Sequence, residues 1–444
     1  MPYPAGRNLP GEYASKLGHL EVLKSPLVRQ VIENFEQPDE VGNTSASWQP
    51  YTSTGEPLDI IFAVDGSWQP ISDERPPFKQ VAFVKTALIR VNQIELNQID
   101  KYEPHPLALR DLMSKTAIYH ATALPLRHIY FKGSSVYDAV RRIVFESFKD
   151  DSLEGEVMET FKWLAYEKWS GSPRQLPEFE CPHEINGETH KTTLDIDAEE
   201  GECRICGNQI FITDMLGFHL EMSENAASES VPAAYMNIHE TLLLFTGIRI
   251  YWENKNKREI LKQCLFMKDG PLQIRAQYSK LVNPIRRFLQ HAHSEGYPIH
   301  IVGQEKTGIF VDHLNLIAKD VPDDHLFIPD HKYICEQIQG RPASGAAYGK
   351  DTNYGAKIFW KPNRNSQFVL NVPVSSSMAE FIKNPDTNKL IGLDSILTTL
   401  KMLISAKHEN AFFPIELANS IASLSTYPSV QVLQLFTEAA IKNR

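Results

Sequence analysis

The chain has 444 residues, 45 Lys+Arg against 55 Asp+Glu for a net charge of −10, and 42% hydrophobic residues. That is an ordinary globular composition, and it excludes collagen-like, disordered and small disulfide-scaffold classes. No run reaches the ~18 apolar residues a membrane span needs, and the acidic balance argues against nonspecific coating of nucleic acid, which phosphate neutralisation drives.

At roughly 100–200 residues per domain the length suggests two to four compact units. The opening MPYPAGRNLPGEY has neither the charged n-region nor the apolar core of a signal peptide, so a cytoplasmic protein with no membrane association is expected. Apolar, β-branched runs predict strands at Leu58 to Val64, Val81 to Val91, Leu265 to Lys268, Pro298 to Val302, Lys357 to Lys361 and Phe368 to Val372. Helical periodicity predicts Ser135 to Lys149, Leu153 to Lys168, Ala234 to Asn254, Leu281 to Ser294 and Leu393 to Lys407. Strands and helices interleave, which favours an α/β core. Two polar breaks, Gly171 to Pro177 and Met222 to Ser230, bracket a cysteine-rich piece that reads as a small module inserted into a larger fold.

In that module Cys181-Pro-His183 is followed by Cys203-Arg-Ile-Cys206-Gly207. A C-x-x-C-G turn presents two thiolates from one knuckle, and C-x-H can supply the opposing pair, which together make a closed tetrahedron for structural zinc. His190 or His219 can replace His183 as the fourth ligand. Cys264 and Cys335 stand alone and read as buried small hydrophobes.

Three acids form a second constellation. The strand Ile60 to Val64 runs into Asp65-Gly66-Ser67, and Cys264 to Lys268 runs into Asp269-Gly270-Pro271. Strand-end carboxylates sit where α/β folds place their chemistry, although Asp-Gly taken alone is an ordinary turn. On the third segment Met236, Glu240, Leu243, Leu244, Gly247 and Tyr251 share one helical stripe. A glutamate there is costly to bury unless it is paired or metal-bound; the alternative is a first-turn glutamate favoured by the helix dipole. Asp65, Glu240 and Asp269 together make a hard-oxygen site for Mg²⁺ or Mn²⁺, and two such ions would activate water for phosphodiester cleavage.

With these residues in view the sequence resembles the NurA family of DNA nucleases. Phe62-Ala-Val-Asp-Gly-Ser67 is similar to the family's first acidic motif, and Met236-Asn-Ile-His-Glu240 with Phe266-Met-Lys-Asp-Gly-Pro-Leu272 to its glutamate and second aspartate. Phe288 to Lys306 resembles its helix, strand and G-x-x-K segment. The resemblance implies an RNase H-like mixed-sheet core with flanking helices, a homodimer, and docking on a hexameric HerA/FtsK-like translocase ATPase that feeds DNA, single- or double-stranded. The role implied is DNA end processing or anti-phage defence. It also implies that Asp65, Glu240 and Asp269 hold the catalytic metal and that Lys306 sits near the scissile phosphate.

The domain plan that follows is an N-terminal arm (1–50), a first core part with a helical insertion (51–174), a zinc-binding, ribbon-like insert (175–222) and a second core part with a C-terminal helical region (230–444). Three features depart from the family pattern. Asn419 stands where the family's helix carries a histidine, with His408 as a possible substitute; Glu240 and Asp269 are widely separated; and the zinc insert is unusual. A noncatalytic adaptor binding DNA or the ATPase through the zinc module is therefore the alternative. Among the other groups, Arg286 and Arg287 read as phosphate contacts or a solvated face. The segment Lys350 to Lys361, with Tyr354 and Trp360, reads equally as a base-stacking platform or as an amphipathic strand with its Trp in the core.

Overall fold

The computed structural model describes residues 22, 24–34, 46–73, 76, 78–97, 99, 105–129, 131, 133–222, 229–425 and 429–442. The opening segment and residues 223–228 of the second polar break lie outside them. The chain divides into two units, Met1–Ser45 and Ala46–Arg444. In the first, helix α1 (Pro26–Glu33) starts on a proline and is capped by Ser25, whose hydroxyl accepts from the Val28 N–H. That cap satisfies a donor the first turn leaves open.

In the second unit a short strand β1 (Gln49–Pro50) precedes an antiparallel meander, β2 (Ile60–Ser72), β3 (Gln80–Asn92) and β4 (Ala117–Arg127). Four short strands, β5 (Phe179–Glu180), β6 (Lys191–Thr192), β7 (Glu200–Glu202) and β8 (Gln209–Phe211), form two separate small sheets. Then come β9 (Cys264–Asp269), β10 (His300–Glu305), β11 (His325–Phe327), β12 (Ala356–Asn363) and β13 (Ser366–Val372). The main sheet has nine strands in the order β1-β11-β12-β13-β10-β9-β2-β3-β4. Within it β9 runs parallel to both β2 and β10, and the other pairs are antiparallel.

Helices cover both faces. Helices α2 (Val136–Phe148), α3 (Glu156–Ala165), α4 (Ser230–Glu253) and α5 (Val282–Ser294) share one core with Phe62, Val64, Val84, Leu88 and Phe266. Helices α6 (Leu393–Leu403) and α7 (Phe413–Ala422) share the other with Ile61, Ala63, Ile89, Leu265 and Met267. Even and odd positions of β2 and β9 thus face opposite sides, as strand alternation requires. Because both faces are covered, these strands read in sequence as continuous apolar runs. Helix α4 is apolar nearly all round because it lies between the sheet and the helices outside it.

The cysteine-rich residues belong to this second unit: Cys181, Cys203 and Phe211 lie in the same core as α2 and α4. No helix of the described residues is long and apolar enough to cross a membrane.

One local expectation changes. β2 does not stop at Asp65 but continues to Ser72, paired with β3 throughout. What ends near Asp65 is the parallel ladder with β9, whose last pair is Val64 with Lys268.

Candidate active site

Asp65 and Asp269 each lie one residue beyond that last pair. They therefore stand side by side on adjacent parallel strands, about 4.8 Å apart in the ladder direction, just past the end of the parallel ladder. Their parity matches Ala63 and Met267, so both face the α7 side. Lys306, just after β10, donates to Asp269 Oδ2 at 2.9 Å. Asp65 accepts the Gly66 N–H at 2.7 Å through Oδ1, while its Oδ2 is buried without a partner. Burial, followed by the nearby charges of Asp269 and Glu240, pushes the Asp65 carboxyl up to about 8 against the opposing pull of Lys306.

Glu240 approaches from the other face. It projects from α4 over Gly66, where an added Cβ would lie 2.6 Å from Glu240 Oε1 and 2.6 Å from Met236 Cγ. A Cβ at this position would have to displace both of those side chains. Glu240 Oε2 accepts from Lys268 Nζ at 2.6 Å, and the lysine also donates to the Asp269 carbonyl at 3.2 Å. Both side chains of this pair are buried, at 0% and 3% exposure. Burial opposes the charge on each; the Glu240 carboxylate nonetheless holds Lys268 above the usual lysine range, whereas Glu240 itself is raised. Lys268 is the residue the sequence reading missed, since it seemed only to end a strand. Its even parity with Phe266, which aims it into the α4 core, was the available signal.

The residues test positively as a cation site on one observation: Asp65 and Asp269 are neighbours on adjacent strands, and the buried Asp65 Oδ2 has no hydrogen-bond donor. The donor set is all oxygen, which suits Mg²⁺ or Mn²⁺. The three carboxylates are spread, however. Among the described residues, the group of His, Cys, Asp or Glu donors found within 4.8 Å of one another is a different one.

A cleft of about 630 Å³ opens beside Lys306, with Glu416, Asn419, His408 and Asn410 in its walls. Asn419 and the substitute His408 therefore border the same space. Glu416, on α7, has a buried Oε1 with no partner and did not stand out in the sequence. Two other basic groups are engaged by the protein itself. Arg286 clamps the carbonyls of Gly349, Lys350 and Asn353, and Arg287 pairs with Glu167. Tyr354 and Trp360 are buried at 1% and 0% exposure, so the strand carries its Trp in the core and offers no stacking platform.

The second cluster joins Cys181, His190, Cys203 and Cys206. Cys181 and Cys206 sulfurs lie 3.8 Å apart, the separation expected of ligands with ~2.3 Å bonds at a tetrahedral angle, and His190 Nε2 is 3.3 Å from Cys203 Sγ. The β5–β6 register explains the histidine. Glu180 pairs with Lys191 and the Cys181 N–H donates to the His190 carbonyl at 2.8 Å, so Cys181 and His190 face each other across the hairpin. The expectation of His183 is corrected accordingly: its ring lies 3.2 Å from the Gln209 carbonyl and 3.4 Å from Arg141. His219 is buried beside Asp214, away from the thiols.

Burial pushes Cys181 up to about 12. Burial acts the same way on Cys203, but hydrogen bonds from Thr192, from the backbone N–H groups of Cys206 and Ile205 and from His190 bring it down to about 5. A thiolate held open in a turn of N–H donors, closed by three further N and S atoms, suits a metal such as zinc.

No family model matches the chain, and no curated protein does. Among solved structures, a crystal structure of NurA aligns over 96% of this chain and 97% of its own, at 9% identity and a TM-score of 0.30. A crystal structure of NurA with manganese aligns over 95% and 98%, at 10% identity and a TM-score of 0.27. Likenesses at this level carry no argument, and the chemistry of the site stands on its own residues.

Proposed function

We propose that the protein is a metal-dependent DNA nuclease, built on an RNase H-like core and working with a hexameric HerA/FtsK-like translocase in DNA end processing or anti-phage defence. One observation carries the reading: two aspartates side by side where the β2–β9 parallel ladder ends, one with its carboxyl raised to about 8 and a buried oxygen lacking any donor. The strand order β4-β3-β2-β9-β10, a meander followed by two parallel strands beyond its first member, supports the RNase H-like core.

Asp65 and Asp269 would hold the divalent ion, with the carboxylate of Glu240 adding negative charge from the opposite face. When bound, such an ion supplies activated water and charge stabilisation at the attacking and leaving oxygens. The rest falls to the chain. The Gly66 N–H fixes the Asp65 carboxylate, and the Gly66 gap brings Glu240 close. Lys306, a third exposed at the edge of the cleft, attracts the scissile phosphate and draws it toward Asp269. The thiol–imidazole cluster is read as structural zinc stapling two hairpins too short to be stable alone. With a net charge of −10 the chain holds DNA weakly by itself, which fits a dimer supplied with strand by a translocase.

A noncatalytic adaptor is the second reading, favoured by the two lysines that already occupy Glu240 and Asp269. Cleavage of labelled single- and double-stranded DNA, with RNA in parallel, separates the two. The nuclease reading expects Mn²⁺-dependent cleavage lost at least 100-fold in Asp65→Asn and in Asp269→Asn. Equal inertness of wild type and variants, with the ATPase present, establishes the adaptor.

A further inference from the structure

We propose that the carboxylate cluster takes a single divalent ion, with Lys268 and Lys306 supplying the fixed positive charge that a second ion brings elsewhere. The inference rests on the nuclease reading and deepens it. Three carboxylates meet two ammonium groups here, Lys268 at 2.6 Å from Glu240 and Lys306 at 2.9 Å from Asp269. With every group ionised the cluster carries one net negative charge. One dication turns that into a single positive charge; two leave three uncompensated positive charges in a largely buried site, where like charges interact strongly.

Lys268 cannot step aside. Its side chain is fully buried on the α4 face, and its Nζ is held twice, by Glu240 Oε2 and by the Asp269 carbonyl. It is a built-in cation, not a mobile counter-ion.

The placement of the carboxylates agrees. Asp65 and Asp269 are side by side on one face, whereas Glu240 reaches over Gly66 from the other with one oxygen already taken. Asp65, Glu240 and Asp269 do not together bring one oxygen each within 4.8 Å of one another, whereas paired-ion sites share carboxylates between ions ~3.5–4 Å apart. Asp65 and Asp269 are neighbours on adjacent strands, and Asp65 Oδ2 is a buried acceptor without a partner. Lys268 is thus a positioning residue: it holds Glu240 in place above Gly66 and fills the role of the second charge.

The test is Mn²⁺ binding to the full-length, zinc-loaded chain, followed by electron paramagnetic resonance and isothermal titration calorimetry. Wild type is expected to bind one Mn²⁺ per chain, and Asp65→Asn none. Lys268→Met removes the fixed charge and is expected to bind that ion at least tenfold more tightly, while Lys268→Arg leaves affinity within threefold of wild type. Should Lys268→Met not fold, Lys306→Met, at a partly exposed side chain, makes the same prediction. Two equivalents in wild type, or equal or weaker binding in the Lys→Met variants, overturns the single-ion inference and leaves the nuclease reading standing. No Mn²⁺ bound to wild type overturns both.

Discussion

At the scale of the residue, register decides which side chains meet. The Cys181-Pro-His183 spacing offered a histidine two residues from its thiol, yet the hairpin brings His190 across from Cys181 and leaves His183 against Gln209 and Arg141. Sequence spacing alone does not reveal a cross-strand partner, and this is why His190 stayed one of three alternatives. The expected outcome is that His190→Ala lowers bound zinc per chain well below one and cuts zinc affinity by at least 100-fold, while His183→Ala keeps one zinc. Metal analysis with a competing chelator reads the difference. The same principle made Lys268 illegible. Its burial against Glu240 follows from strand parity and from a helix more than twenty residues earlier in the chain, and no local motif records that meeting.

At the scale of the element, the close approach of α4 to β2 is set by one position. Gly66 leaves room for Glu240 Oε1 and Met236 Cγ, each 2.6 Å from where a Cβ would lie. Gly66→Ala is expected to push α4 outward, at a cost of about 1–3 kcal/mol of stability, and to move Glu240 off the cluster, lowering cleavage at least tenfold. Thermal melting and the cleavage assay check the two effects, and full activity in a folded Gly66→Ala chain contradicts this placement of Glu240.

Most of the major elements were legible because their signals are strong. The runs at Ile60 to Val64 and Leu265 to Met267 are apolar on both faces, and α4 is apolar all round. β4 escaped notice. Its sequence, Ala117 to Arg127, lies at the sheet edge with Ile118 and Tyr119 exposed, so it shows no clean alternation. The end of β2 was misplaced for a related reason. The apolar run marks how far β2 is covered on both sides, while the strand itself continues half-buried beside β3.

At the scale of the whole molecule, the second unit buries neutral histidines that must charge when it unfolds. Burial lowers His300 to about 4 and His219 to about 4, and lowers His239 as well. A folded-state value below the unfolded ~6.5 means the unfolded chain binds more protons between the two. The histidine contribution to stability is therefore complete above about pH 6.5 and falls as pH drops toward 4, by up to ~1.4 kcal/mol per pH unit for each histidine, while the raised Asp65 carboxyl acts in the opposite sense. Between pH 7 and pH 5 the slope of stability against pH should differ between wild type and His300→Asn by about one proton's worth, read from melting temperatures; an unchanged slope in the variant contradicts the assignment.

The charge of −10 also gains meaning at this scale. The acidity is partly local, since carboxylates concentrate at the parallel strand ends, and two lysines already balance most of the charge there. The central claim is that these strand ends form a metal-dependent hydrolytic centre. The most direct measurement is anomalous scattering at the manganese edge from a crystal of the zinc-loaded chain soaked in Mn²⁺. The account predicts one manganese peak between the carboxylates of Asp65 and Asp269, absent from Asp65→Asn. Manganese located elsewhere, or no peak at saturating Mn²⁺, contradicts it.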